Sequence, residues 1–220
     1  NKNKIEILIS TGGYMSVPVC LAARFLNLKI FLYEPNLVIG RSNLFLLNFC
    51  EKIFTYNKKI KNFPKKMQHK NLVINPLIRK EIILTKKNLK RKLKLFSLLI
   101  IGGSQGAKKF DRLFNEDLIK LSKKFRIKIY HQTSIQNLKK LKNFYVSNNI
   151  DFYAFSYNHD LHKIMKRCDF AISRSGASTV NELVFLETPF LLIPYPHAKD
   201  DHQFFNAKYY VNKNLGWLIR

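Results

Sequence analysis

Short apolar runs alternate with longer amphipathic stretches along this chain. The short runs are rich in β-branched residues, and the longer stretches repeat their apolar residues with a helical period. Strands are predicted at residues 5–9, 30–33, 52–55, 72–74, 95–101, 127–131, 151–155, 169–172, 190–193 and 216–219. Helices are predicted at residues 18–26, 42–49, 107–122, 135–147, 160–167, 177–187 and 203–212. This alternation predicts βαβ units, and therefore an α/β fold with parallel sheets.

The strand signal disappears at residues 80–94, where the chain is Lys-rich and amphipathic. We interpret these residues as a connector between two domains. Residues 1–79 are then an incomplete first α/β domain, and residues 95–220 are a second α/β domain, whose last strand lacks its following helix. Because the chain begins at Asn1 rather than at Met, with a strand signal almost at once, we expect that the start of the protein is missing.

Composition places the chain among globular proteins, with 46% hydrophobic and 13% aromatic residues. Its net charge of +25, from 39 Lys and Arg against 14 Asp and Glu, suits a polyanion such as nucleic acid, an anionic membrane or a phosphorylated ligand. The lysines are scattered through loops and helix faces, however. A general compositional bias therefore explains them at least as well as a dedicated binding stripe.

The cysteines and the hydropathy of the chain argue against a disulfide-rich protein and against a membrane-spanning one. The three cysteines lie far apart in apolar surroundings, which predicts small core residues rather than a disulfide framework or a metal site. No apolar run approaches the roughly 20 residues that span a bilayer, and no signal peptide is visible. We expect a soluble, cytoplasmic protein that is at most peripheral to a membrane.

Residues 173–182, Ser-Arg-Ser-Gly-Ala-Ser-Thr-Val-Asn-Glu, lie between a predicted strand and a predicted helix. Such a turn places free backbone N–H groups at the carboxyl edge of a sheet, where α/β proteins bind anions. Glu182 can present a carboxylate there to a vicinal diol such as a ribose. The alternative is that Ser175 caps the helix and that Glu182 is a solvated helix residue.

Two glycine loops also follow predicted strands, at residues 10–16 and 102–106. Glycines allow the backbone to approach a ligand closely, and the helix that follows offers N–H groups to a phosphate. Neither loop matches the P-loop or the dinucleotide fingerprint. Ordinary structural turns therefore remain an alternative for both loops.

Polar residues follow two further strands. Asp201 and Gln203, after the strand at 190–193, are expected at the same crevice as Glu182, and Glu34 and Asn36 are loop residues that a ligand can reach. The alternative is that an aspartate caps the next helix and that the nearby histidines are solvated. His197, His202 and Asp201 superficially suggest a metal site, but no third well-spaced cluster of ligands supports one. No serine occupies a nucleophile elbow.

Five motifs occur in a fixed order: Gly-Gly-Tyr at 12–14, Tyr-Glu-Pro-Asn at 33–36, Ile-Gly-Gly-Ser-Gln-Gly-Ala at 101–107, the stretch at 173–182, and Asp-Asp-His-Gln-x-x-Asn-Ala at 200–207. This series resembles the MurG family of glycosyltransferases and covers nearly the whole chain. The resemblance implies an inverting enzyme that transfers N-acetylglucosamine from UDP to undecaprenyl-diphosphate-linked N-acetylmuramyl-pentapeptide (lipid I), producing lipid II for peptidoglycan.

The resemblance also implies a GT-B fold, in which two Rossmann-like domains face each other across a cleft and the C-terminal one holds most of the donor, without a cofactor or metal. It implies that Ser104 contacts the diphosphate, that Glu182 takes the ribose hydroxyls, that Gln203 reaches the sugar, and that the uracil lies against residues 155–160. Tyr14 and Glu34 match functionally important, catalytic positions of the acceptor half. The full set of substrate-binding positions is Asn36, Arg79, Gly103, Ser104, Gln105, Phe155, Arg174, Ala177, Ser178, Thr179, Glu182 and Gln203.

Partners and location follow from the same resemblance. It implies UDP-N-acetylglucosamine, lipid I and anionic inner-membrane phospholipid as partners, no nucleic acid, and a peripheral place on the cytoplasmic side of the inner membrane. The chain departs from the family at Tyr33, Asp111 and Ser134, where the family has histidine, asparagine and glycine. Two alternatives are another GT-B transferase with a different nucleotide sugar and a basic nucleic-acid-binding module.

Overall fold

The computed structural model of the chain describes residues 4–84, 95–102 and 107–220. The chain divides into two compact units. One consists of Asn1–Leu77 and Ala198–Asn206, and the other of Ile78–His197 and Ala207–Arg220. The first unit thus includes a short segment that the chain reaches only after most of the second unit. The domain limits predicted from the sequence stay a prediction.

The first unit is built around a four-stranded parallel sheet in the order β1-β2-β3-β4. Its elements are β1 (Ile7–Ser10), α1 (Ser16–Phe25), β2 (Lys29–Tyr33), α2 (Arg41–Leu46), β3 (Lys52–Thr55), a 3-10 helix (Lys65–Lys70) and β4 (Asn71–Val73). Leu32 in β2 lies opposite Ile53 in β3, and neither is exposed to solvent. These two strands therefore form the centre of this unit's core.

The second unit contains a six-stranded parallel sheet in the order β10-β9-β8-β5-β6-β7. Its strands are β5 (Phe96–Ile101), β6 (Ile127–Gln132), β7 (Asp151–Phe155), β8 (Phe170–Ser173), β9 (Phe190–Leu192) and β10 (Trp217–Leu218). Its helices are α3 (Lys80–Ile83), α4 (Ala107–Leu113), α5 (Asn115–Lys124), α6 (Ile135–Ser147), α7 (Leu161–Arg167) and α8 (Ala177–Phe185). A 3-10 turn (Lys199–Asp201) precedes α9 (His202–Val211), which begins in the segment assigned to the first unit and ends in the second.

Burial along the strands explains their place in this sheet. Residues 97–101 of β5 are all buried, as expected for a central parallel strand covered on both faces. In β6 the buried residues alternate with partly exposed ones. Leu98, Ile100, Ile129 and Tyr145 belong to one apolar cluster between this sheet and its helices. The predicted α/β fold with parallel sheets is confirmed.

The chain leaves β5 in one direction for β6 and β7, and then returns to place β8 on the other side of β5. This reversal makes the carboxyl ends of β5 and β8 a topological switch point. A crevice opens at such a point, because the loops after the two strands lead to opposite faces of the sheet. The fold therefore places Gly102, directly after β5, and residues 174–176 where open α/β sheets bind ligands.

One predicted helix is wrong. The helix predicted for residues 107–122 is two helices, α4 and α5, which are separated at Phe114 with φ −112° and ψ 7°. Glu116 and Asp117 lie in the first turn of α5, where carboxylates favour the positive end of a helix dipole, so the sequence starts a new helix at this point.

The prediction that all three cysteines are core residues is confirmed: Cys20, Cys50 and Cys168 are free and buried. Within the part of the chain that the structure describes, no helix combines the length and the apolar character needed to cross a membrane.

Candidate functional site

The stretch at 173–182 has the predicted strand, turn and helix. β8 ends at Ser173, and α8 begins after Gly176, the N-cap residue, whose backbone is extended at φ −64° and ψ 133°. No side chain caps this helix start. The first N–H groups of a helix have no partner within the helix, so those of residues 177–179 are directed outward at the switch point. The alternative, in which Ser175 is the N-cap, is wrong, because Ser175 lies one residue earlier.

Glu182 is not a solvated helix residue either, since only 5% of it is exposed. Its carboxylate is held in a fork by Arg79: Arg79 Nε donates to Oε1 at 2.6 Å and Nη2 donates to Oε2 at 2.8 Å. These hydrogen bonds raise the pKa of Arg79, and burial opposes the shift. The structure thus brings together two predicted site residues that lie 103 positions apart in the sequence.

Arg174 supplies a second positive charge beside the turn. Its Nη1 donates to the carbonyl oxygens of Ile193 at 3.1 Å and Pro194 at 2.9 Å, and its guanidinium lies 4.7 Å from the centre of the Phe110 ring. Burial lowers the pKa of Arg174. Among the described residues, no carboxylate forms an ion pair with Arg174, so this part of the crevice keeps a net positive charge that suits an anion.

The segment predicted to contact the uracil starts at the end of β7. Phe155 is buried, and its ring stacks on Tyr153 with the ring centres 5.5 Å apart. Tyr157 is 72% exposed and packs edge-on against His159 at 4.8 Å between ring centres. Its electrostatic interaction with Arg79 contributes, after the hydrogen bond to Glu182, to the raised pKa of Arg79. Sequence reasoning missed Tyr157 as a residue, although an aromatic side chain just past the carboxyl end of a strand was a usable signal.

Ser104, which was predicted to contact the donor diphosphate, lies outside the described residues, as do the predicted substrate-binding residues Gly103 and Gln105. The flanking structure is described: β5 ends at Ile101, and α4 begins at Ala107. The role of this glycine loop stays a prediction.

Tyr14, Glu34, Asn36 and Gln203 belong to the first unit. Tyr14 lies in the turn before α1 and is 87% exposed. This turn needs Gly12 and its neighbour Gly13, because their φ values of +81° and +90° are strained for any residue with a side chain. The hydroxyl of Tyr14 is therefore presented to solvent.

Glu34, in contrast, is only 2% exposed. Its Oε1 accepts from the backbone N and from the side-chain Nδ2 of Asn36, both at 3.0 Å. Its Oε2 accepts from the backbone N of Gly40 at 2.8 Å and from Asn43 Nδ2 at 2.9 Å. Four donors therefore use both oxygens, and the carboxylate holds the loop at residues 34–40 in shape.

Asn206 continues this network. Its Nδ2 donates to Asn36 Oδ1 at 3.0 Å, and its Oδ1 accepts from the backbone N of Leu37 at 3.0 Å. Asn206 lies one helical turn after Gln203 in α9, so the same loop fixes the helical turn that carries Gln203. Among the described residues, no group of three or more His, Cys, Asp or Glu side chains is placed to hold a metal ion.

The chain matches two known sequence families, one for each of its two units. The profile of the glycosyltransferase family 28 C-terminal domain matches residues 97–220, and the profile of the family 28 N-terminal domain matches residues 1–55. The chain belongs to glycosyltransferase family 28. The predicted GT-B fold class is thereby confirmed, since two units with parallel sheets are matched by the two domains of this family.

Two curated relatives of this chain share the name UDP-N-acetylglucosamine–N-acetylmuramyl-(pentapeptide) pyrophosphoryl-undecaprenol N-acetylglucosamine transferase. The Pelagibacter ubique protein is 50% identical over 218 residues, which is 99% of this chain and 61% of the relative. The Rickettsia canadensis protein is 34% identical over 224 residues, which is 98% of this chain and 62% of the relative. The chain thus spans about three fifths of the length of these relatives.

Solved structures show the same fold. The crystal structure of Acinetobacter baumannii MurG superposes with a TM-score of 0.78 at 26% identity and covers 98% of this chain and 60% of that protein. A UDP-GlcNAc 2-epimerase from Neisseria meningitidis bound to UDP-GlcNAc gives a TM-score of 0.62 at 12% identity, covering 94% of this chain and 68% of the epimerase. At that identity the likeness to the epimerase concerns the fold alone.

Proposed function

We propose that this chain carries the nucleotide-binding part of an inverting transferase that moves N-acetylglucosamine from UDP-N-acetylglucosamine to lipid I, which produces lipid II for peptidoglycan. The observation that carries the proposal is the buried Glu182 carboxylate, held in a guanidinium fork beside a helix start that no side chain caps. The names of the Pelagibacter and Rickettsia relatives support the choice of donor and acceptor.

The residues of the second unit suit the donor half of this reaction. When the acceptor hydroxyl attacks the anomeric carbon, UDP leaves and negative charge grows on its diphosphate. The N–H groups at residues 177–179, the dipole of α8 and the guanidinium of Arg174 stabilise that charge. Glu182 accepts hydrogen bonds from the ribose hydroxyls, and the exposed ring of Tyr157 is available to stack on the base.

The remaining predicted roles are kept as part of the proposal. Ser104 contacts the diphosphate, with Gly103 and Gln105 as further substrate-binding residues of the same loop. The uracil lies against the segment that begins at Phe155, Gln203 reaches the donor sugar, and Asn36 is a further donor-site residue. Tyr14 and Glu34 serve the acceptor half. Since both oxygens of Glu34 hold the loop at 34–40, its contribution is to keep that loop in shape. As the acceptor is a lipid, the protein works peripherally at the cytoplasmic face of the inner membrane, beside anionic phospholipid.

The donor role of Glu182 is tested with Glu182→Gln, which keeps the shape of the side chain but removes its charge and one acceptor. Isothermal titration calorimetry of the 220-residue chain compares UDP-N-acetylglucosamine, UDP and 2′-deoxy-UDP. We expect the wild type to prefer UDP over 2′-deoxy-UDP. The variant should lose this preference and bind UDP-N-acetylglucosamine about tenfold or more weakly, as is typical when a hydrogen bond to a charged group is lost.

The matched control is Glu116→Gln, which changes an exposed carboxylate in the same unit and should bind all three ligands like the wild type. Nucleotides with other bases and other sugars complete the panel. Unchanged donor affinity in Glu182→Gln would remove the proposed ribose contact, and a preference for a different nucleotide sugar would replace the proposed donor.

A further inference from the structure

Arg79 covers the atoms through which Glu182 would bind a ribose. The two oxygens of Glu182 receive Arg79 Nε and Nη2 at 2.6 and 2.8 Å, and the Glu182 side chain is left 7% exposed. A guanidinium edge and a vicinal diol both present two neighbouring donors to a carboxylate, so they compete for the same fork geometry. The described arrangement therefore has Arg79 at the place of the two hydroxyls.

The backbone at Arg79 is anchored, whereas its side chain is not enclosed. Arg79 is the N-cap residue of α3, and its carbonyl oxygen accepts from the N–H groups of Ile82 and Ile83. Ile82 is fully buried and fixes this short helix. The Arg79 side chain is 48% exposed, so it can swing away from Glu182 while its backbone stays in place.

An anion at the switch point would offer the displaced guanidinium a new partner. Glu182 belongs to α8, the helix whose start is uncapped. Arg79 contacts this helix through its hydrogen bonds to Glu182. A diphosphate bound at the helix start carries oxygens that match a guanidinium edge as well as a carboxylate does. A nucleoside without phosphate has no such group to offer.

We propose that Arg79 is a displaceable occupant of the ribose position, which makes the site select nucleotides over nucleosides. This inference rests on the proposed donor role of Glu182. A nucleoside must break the Arg79–Glu182 pair without compensation, whereas a nucleoside diphosphate exchanges it for an Arg79–phosphate contact. Arg79 thus lowers the affinity for uridine and raises the affinity for UDP.

Two substitutions separate the two effects. Arg79→Gln removes both the guanidinium edge and the charge, so uridine should bind about 3- to 10-fold more tightly and UDP about tenfold or more weakly. Arg79→Lys keeps the charge but cannot fill both oxygens of the fork. It should bind uridine more tightly, as Arg79→Gln does, but retain most of its affinity for UDP.

Calorimetric titration with uridine and with UDP measures both affinities. The matched control is Arg126→Gln, since Arg126 is an exposed arginine of the same unit that precedes β6, at the opposite edge of the sheet. The control should bind both ligands like the wild type. Thermal unfolding of each variant shows whether it is folded.

A fixed supporting role for Arg79 predicts a different pattern. If Arg79 only orients Glu182, both substitutions weaken uridine and UDP together, and the inference is overturned. Unchanged uridine affinity in Arg79→Gln overturns it as well. If the wild type binds neither uridine nor UDP, the proposed donor site itself fails, which is distinguishable because that result does not involve the variants.

Discussion

The carboxylate of Asp111 is buried in the second unit among several polar side chains. Its Oδ2 accepts from Thr133 Oγ1 at 2.5 Å and from Asn137 Nδ2 at 3.0 Å. Its Oδ1 lies 3.4 Å from Nε2 of His131, whose Nδ1 is 2.6 Å from the hydroxyl of Tyr145. Asp111, Thr133, His131 and Tyr145 are all buried. This network connects α4 to β6 and α6.

The pKa of Asp111 depends on two opposing effects, burial and hydrogen bonding. Burial alone raises the pKa of the carboxyl, but His131, Thr133 and Asn137 together outweigh burial and hold the pKa of Asp111 below its ordinary value. A group whose pKa is lower in the folded than in the unfolded state stabilises the fold above its unfolded pKa of about 3.9. That contribution is lost as the pH falls through the lower, folded value.

Asp111→Asn should therefore destabilise the chain at neutral pH, by about 1 to 3 kcal/mol, because an amide group replaces an oxygen that accepts in a buried site. The difference from the wild type should shrink as the pH falls below about 4, because the unfolded wild-type chain then binds a proton at Asp111 that the folded chain, with its lower pKa, does not yet bind. Urea unfolding followed by circular dichroism between pH 7 and pH 3 measures both quantities.

The matched control is Asp151→Asn. Asp151 is an exposed aspartate of β7 that pairs with Lys128 at 3.4 Å, and its loss should cost at most about 1 kcal/mol, as for other surface ion pairs. A stability difference for Asp111→Asn that does not depend on pH would contradict the expected role of its charge.

The sequence was enough to predict which residues belong to the candidate site, but not which of them contact each other. The motif at 173–182 identified Glu182, and the resemblance identified Arg79, yet their pairing depends on the packing of α8 against a residue 103 positions earlier. Asp111 was visible as a departure from the family. Its partners could not be assigned, because they come from β6 and α6, which meet α4 only once the sheet has formed.

At the scale of elements, the segment Ala198–Asn206 contacts the rest of the first unit through an ion pair, a cation–π contact and a buried amide. Arg41 pairs with Asp200 through two hydrogen bonds of 2.9 and 3.2 Å. Lys61 Nζ lies 3.6 Å from the centre of the Phe205 ring. Asn206 is fully buried and binds the loop at 34–40, as described above. The first two contacts are on the surface, so the buried Asn206 should contribute most of the attachment.

Asn206→Asp tests this expectation. The substitution keeps an oxygen that can accept from Leu37 N–H but places a second acceptor opposite Asn36 Oδ1, which loses its donor. We expect the loop at 34–40 to open more often, with amide hydrogen exchange at Leu37 accelerated about tenfold or more, since this corresponds to a local loss of only about 1.4 kcal/mol. Exchange monitored by NMR or mass spectrometry gives the measurement.

Asn212→Asp is the matched control, because Asn212 follows α9 and is exposed. It should leave exchange at Leu37 unchanged. If Asn206→Asp also leaves that rate unchanged, contacts other than that of Asn206 hold the segment.

The elements that were predicted best from the sequence are strands that coincide with a short apolar run. β3 and β7 have the predicted limits, and β5 is one residue shorter than predicted, because runs of apolar residues between helices mark parallel strands. The 3-10 helix Lys65–Lys70 was missed, since Lys-rich residues without apolar periodicity give no helical signal. The assignment of residues 198–206 to the first unit could not be predicted, as it depends on Asn206 finding Asn36 and Leu37.

At the scale of the whole molecule, the net charge of +25 is the property that no single site uses. The Arg79–Glu182 pair adds nothing to this net charge, and the helix start and Arg174 concern one bound nucleotide. The remaining excess acts over the surface. A surface of this sign attracts anionic phospholipid, with about 1 kcal/mol for each Lys or Arg close to the headgroups.

The proposed place at the inner membrane therefore predicts a binding that depends on lipid charge and on salt. The chain should sediment with vesicles of phosphatidylcholine and phosphatidylglycerol at 50 mM NaCl, and not with vesicles of phosphatidylcholine alone. At 500 mM NaCl the Debye length falls from about 14 Å to about 4 Å, so most of the attraction should be screened and the bound fraction should fall at least about tenfold. Retention at high salt would show that charge does not carry the association.

Binding of a short RNA tests the alternative of a basic nucleic-acid-binding module. If the RNA binds more tightly than the anionic vesicles and UDP-N-acetylglucosamine does not bind at all, the charge serves nucleic acid. The reason is that a transferase needs its donor whatever surface it works on.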